Sequence, residues 1–130
     1  MKQRLILLFS AVVFLFASCK KEEAPELINS WKLIEILADP GGGSGTFQAV
    51  SSDKIISFFE DETVNSTGVL CQMGAESATG SSGTYSESDM TITPEVCGIA
   101  PFAIEYEVNG SNLILSYPCI EPCREKYELQ

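Results

Sequence analysis

The sequence predicts an all-β fold, a small antiparallel up-and-down barrel of eight strands. Three observations predict it. From residue 28 onward no segment shows helical periodicity, and short apolar or alternating runs recur between turn residues. One run, Phe102–Val108, alternates cleanly: Phe102, Ile104, Tyr106 and Val108 share one face, and Ala103, Glu105 and Glu107 the other. That pattern belongs to a sheet wet on one side. Long and short connections also alternate along the chain, so a meander would gather every long loop at one end.

The chain opens with Lys2 and Arg4 ahead of an apolar run, Leu5–Ala17. This run is too short for an ordinary membrane span and suits the core of a signal peptide. It ends in Phe16-Ala17-Ser18-Cys19, which resembles the lipobox of bacterial lipoproteins. The resemblance implies cleavage before Cys19 and lipidation of that cysteine. Residues 1–18 then read as a lipoprotein signal peptide, 19–27 as a lipidated tether and 28–130 as the barrel domain. Lys20, not Asp, follows the cysteine, so the usual inner-membrane retention signal is missing. The run Cys19-Lys20-Lys21-Glu22-Glu23 is similar to the surface-export signal of Bacteroidota lipoproteins. Together these imply a lipid anchor in the outer membrane, on its periplasmic or its surface side.

Eight strands follow in order. The first is Trp31–Ala38. The second and third, Lys54–Phe59 and Thr63–Leu70, are joined by Glu60-Asp61-Glu62. The fourth and fifth, Ser82–Ser86 and Asp89–Thr93, are joined by Glu87-Ser88. The sixth and seventh, Phe102–Val108 and Asn112–Tyr117, flank Asn109-Gly110-Ser111, the strongest hairpin signal because Asn and Gly tolerate positive φ. The eighth is Arg124–Leu129. The long connections, 39–53, 71–81, 94–101 and 118–123, fall at one end, giving a barrel with an elaborated mouth and a closed end of short turns.

Four cysteines besides Cys19 occur: Cys71, Cys97, Cys119 and Cys123. An even number in an exported domain reads as two disulfides, with three possible pairings. All four fall at the mouth. Cys119 and Cys123 flank a tight loop between Pro118 and Pro122, which suits a local bridge and leaves Cys71 to Cys97. Zinc is the weaker reading: without His it needs all four cysteines, and their spacing lacks paired knuckles.

The order of motifs resembles the small lipocalin-like domain of bacterial lipoproteins, over about residues 27–130. The matching features are an opening strand with Trp31, a second strand ending in Phe58-Phe59-Glu60-Asp61-Glu62, the strand Gly83-Thr84-Tyr85, a last hairpin and a terminal strand with Tyr127. Lipocalins proper carry Gly-x-Trp in strand one, and Asn29-Ser30-Trp31 lacks the Gly. They also place an Arg over that Trp. Here Arg124 enters the last strand at the mouth, away from Trp31, and Lys126 is nearer in register. The resemblance implies a lipocalin-like barrel and an apolar ligand.

Charge and chemistry narrow the function. Without Lys2 and Arg4 the chain holds 6 basic and 18 acidic residues, a net charge of −12 against −10 for the whole sequence. Nucleic acid is a poor partner for such a surface. There is no His, which excludes Ser-His and Cys-His nucleophile pairs and a His-metal site. Gly41-Gly42-Gly43-Ser44-Gly45 fits neither a phosphate loop nor a nucleophile elbow. No catalytic constellation, metal or cofactor is expected. The remaining candidate is the interior, where Phe58, Phe102, Tyr106 and Tyr117, with Trp31, either line a pocket or fill it. Two readings follow. In one, the protein is a non-enzymatic binding lipoprotein taking a small apolar ligand or glycan at the mouth. In the other, a filled barrel contacts another envelope protein or inhibits an enzyme.

Overall fold

The structure is a computed structural model that describes residues 26–98 and 103–130. The expected signal peptide 1–18, Cys19, the expected tether as far as Pro25, and Phe102 lie outside the described residues. Among the described residues every regular element is a strand: β1 (Ser30–Ala38), β2 (Gln48–Ala49), β3 (Ile55–Phe58), β4 (Thr63–Ser66), β5 (Ser81–Ser86), β6 (Thr91–Pro94), β7 (Ile104–Asn109), β8 (Asn112–Tyr117) and β9 (Cys123–Leu129). All pairings are antiparallel, and from β3 to β9 each strand pairs with the next. β1 pairs with β3 on one side and with β9 on the other, from Trp31↔Leu129 to Ala38↔Cys123. These pairings close an eight-stranded barrel, the expected class.

β2 is an addition inside the expected 39–53 loop. β1 is longer than β3 and meets it only over Ser30–Lys32. The overhanging half, at Glu35 and Ile36, takes Ala49 and Gln48 as partners instead. The register of β1 on β9 slips between Leu33 and Glu35. One extra residue restores the alternation there: Trp31 and Leu33 are buried, Ile36 packs on the core, and Glu35 faces Lys126 outside at 2.8 Å. The third strand also stops short, at Ser66 rather than Leu70. Thr67 Oγ1 accepts the N–H of Ile55 at 2.9 Å, and the chain then turns inward and buries Leu70.

The core runs through the barrel as one cluster, from Trp31, Ile56 and Leu113 to Leu33, Leu70, Leu115 and Tyr117. Removing this apolar area from water is the main drive to fold. The turns 59–62, 87–90 and 110–111 form the closed end, and the four longer connections form the mouth. Gly110 supplies φ 60° to its hairpin, as expected of Asn-Gly. The other two turns place Glu62 (φ 62°) and Met90 (φ 53°) in the same left-handed region. The disulfides pair Cys71 with Cys97 and Cys119 with Cys123, with Cα separations of 5.1 and 5.9 Å.

Candidate functional site

The most unusual chemistry lies inside the barrel below the mouth. In β9 the buried positions are Glu125 and Tyr127, while Arg124 and Glu128 are exposed. Glu125 therefore points inward and has no exposed surface. Lys54, just before β3, shares the inward phase of Ile56 and Phe58 and is 1% exposed. The two charges meet: Lys54 Nζ donates to Glu125 Oε1 at 2.9 Å and to Oε2 at 3.2 Å. Oε1 also accepts the backbone N–H of Gly74 at 2.8 Å. Oε2 accepts the phenols of Tyr117 (2.8 Å) and Tyr127 (2.5 Å). Lys54 Nζ also donates to the carbonyl of Gly74 at 3.2 Å. The phenols of Tyr117 and Tyr127 are raised well above the ordinary tyrosine range, first by burial and then by the Glu125 charge. They stay protonated as donors.

Gly74 belongs to the connection 67–80, which crosses the mouth. Ser52 Oγ donates to the carbonyl of Ala75 at 2.7 Å, Ser81 Oγ accepts the N–H of Leu70 at 2.8 Å, and Met73 and Ala75 pack on the core. Gly68 is needed where this roof doubles back, since a Cβ there would strike the Glu76 carbonyl and the Lys54 stem. The Cys71–Cys97 bridge ties the roof to the connection after β6. Glu125 thus spends its oxygens on Lys54, Gly74, Tyr117 and Tyr127. An arrangement so satisfied offers no open position to a reacting group; it holds the roof to the barrel.

Of the residues expected to line a pocket, Phe58 and Tyr106 come together at the closed end, with ring centroids 5.9 Å apart. Tyr85 meets Phe58 edge-on at 5.1 Å. All three are buried, and the phenols of Tyr85 and Tyr106 donate to the carbonyls of Phe59 (2.7 Å) and Ser86 (3.3 Å). Tyr117 is not with them: it belongs to the ionic cluster at the mouth. Trp31 Nε1 donates to the carbonyl of Leu27 at 3.0 Å. Arg124 is exposed on the outer wall, and Lys126 pairs with Glu35 beneath Phe47, so neither takes the place over Trp31 that lipocalins give an Arg. Sequence reasoning missed Lys54 and Glu125. The signal was their phase, since Lys54-x-Ile56-x-Phe58 and Glu125-x-Tyr127 each put a charge in line with core residues. Gly74 left no signal, because it takes part only through its own backbone N–H and carbonyl.

No protein-family model, curated protein or solved structure matches this chain at a significant level.

Proposed function

We propose that this protein is a non-enzymatic, lipid-anchored envelope protein whose filled barrel is a rigid stand for contacts with another envelope protein. The observation that carries this reading is the roof. The connection 67–80 lies across the mouth, and its Gly74 is held by the buried Lys54–Glu125 pair. An apolar ligand entering there would displace Leu70 and meet an ion pair, at a large desolvation cost. The lipobox-like end at Cys19 supports the anchor, and Cys19-Lys20-Lys21-Glu22-Glu23 supports placement at the outer membrane.

Native mass spectrometry of the protein purified from its membrane tests the reading. The expected mass is that of the disulfide-bonded, lipidated chain alone. A small apolar molecule that co-purifies in several preparations, and is lost on unfolding, would overturn it in favour of the ligand-binding reading.

A further inference from the structure

We propose that the closed end is a docking surface for a basic, apolar segment of a partner protein. This rests on the filled-barrel reading above and names the kind of partner. A cleft at this end is walled by Leu27, Ile28, Met90, Tyr106 and Val108, with Glu26 and Glu87 at its rim. A second cleft shares Ile28 and Glu87 with the first and adds Glu60, Glu62 and the Tyr85 ring. Among the described residues, no Lys or Arg lines either cleft. Met90 and Phe59, in the turns beside them, are 56% and 42% exposed. The mouth also exposes Val96 and Ile120. Val96 lines a cleft with Val69 and Pro94, but that cleft carries one acid, Glu95, where the closed end gathers several.

Two further observations point to the closed end. The acids act together: Glu87 raises both phenols, and Glu62, Asp61 and Glu60 add to the effect at Tyr85, behind burial as the first cause. An apolar floor under such a field complements a segment with apolar side chains and Lys or Arg beside them. The backbone supplies the second observation. Met90 and Glu62 occupy left-handed positions where glycine carries no steric cost, as Gly110 does in the third turn. Two of the three turns thus carry a side chain where glycine would suffice, and both side chains line the clefts.

The test measures binding of a short amphipathic Lys/Leu peptide by fluorescence anisotropy. A Glu/Leu peptide and a Lys/Ser peptide of equal charge serve as comparisons. The Lys/Leu peptide is expected to bind best, to weaken as salt rises, and to shift the amides of Ile28, Met90 and Val108 in NMR spectra. Met90→Gly is expected to weaken binding roughly ten-fold while leaving the unfolding midpoint unchanged or higher. Should Met90→Gly fail to fold, Glu87→Gln, at an exposed position, is expected to give the same loss. Equal binding of the Lys/Ser peptide, full binding by both variants, or shifts confined to the mouth loops would overturn the proposal. So would equally tight binding of a small tetraalkylammonium ion, or tighter peptide binding by Lys20→Ala/Lys21→Ala, which would mean that the chain's own residues cover the cleft. The two readings fail separately. A co-purified interior ligand removes the filled barrel, whereas peptide failure with an empty barrel removes only the docking surface.

Discussion

The two ends of the barrel are built on opposite principles. The mouth has long connections, two disulfides and a buried ion pair with every oxygen used. The closed end has short turns, two of them with a non-glycine residue at positive φ, and its acids are mostly exposed. Connection length therefore predicts little about rigidity. Long loops carry orphan backbone groups that need partners, and this chain supplies them from inside the barrel. Short turns close themselves, which frees their side chains to face outward.

The sharpest way to break the contrast is to remove one charge at the mouth. Lys54→Met or Glu125→Leu alone is expected to cost about 3–5 kcal/mol, because the remaining charge is buried without its partner. The double variant is expected to recover only the part due to the uncompensated charge, since Tyr117, Tyr127 and the Gly74 N–H still lose their acceptor. Urea midpoints of the four proteins measure the cycle, and a single variant as stable as the parent would show that the pair does not hold the mouth.

Next comes removal of the disulfides. By loop entropy, replacing Cys71 and Cys97 with Ala is expected to cost about 3.5 kcal/mol, given their separation of 26 residues. The Cys119–Cys123 bridge spans 4 and is expected to cost about 2 kcal/mol. A larger loss from the second bridge would reverse the ranking.

The third effect is alkaline. All 4 tyrosines have raised pKa values, Tyr106 to about 12. In the unfolded chain they ionise near the ordinary value of about 10. The folded state therefore holds more protons above that pH, and the stability these groups contribute is intact below about pH 10 and lost as pH rises. The expected fall is about 1.4 kcal/mol per pH unit for each tyrosine in its window. Absorbance at the tyrosinate band is expected to stay low until the protein unfolds. A half-ionised signal near the ordinary pKa in folded protein would contradict the buried phenols at both ends.

The smallest effect belongs to the closed end. Glu62→Gly is expected to raise stability by about 0.5–1 kcal/mol, relief of left-handed strain exceeding the added chain entropy. A lower thermal midpoint would mean that Glu62 is itself a stabilising contact.

Much of this architecture was legible in the sequence. The eight barrel strands follow from short apolar or alternating runs between turn residues, since a sheet with one dry face writes a two-residue period into the chain. The mouth followed from connection lengths, and the cysteine pairing from the tight loop between Cys119 and Cys123. What escaped did so for physical reasons. Gln48-Ala49 has no strand propensity of its own and is a strand only because β1 overhangs β3. Glu125 lies among the charges of Cys123-Arg124-Glu125-Lys126, which read as a wet edge until the inward phase of Tyr127 is extended to it. The roof depends on backbone amides at Gly74, to which composition is blind.

The seam between β1 and β9 has a consequence for how the chain acquires its shape. The strand nearest the N-terminus is joined along its length to the strand nearest the C-terminus, and Lys54 waits for a carboxylate 71 residues later. Such contacts close very large loops, so folding is expected to be slow for a domain of this size. Until β9 has emerged, β1 keeps an open edge, and the interior lysine has no counter-charge. A chain emerging residue by residue during synthesis would stay unfolded until its last strand arrived. Its most aggregation-prone interval would then come just before the barrel closes.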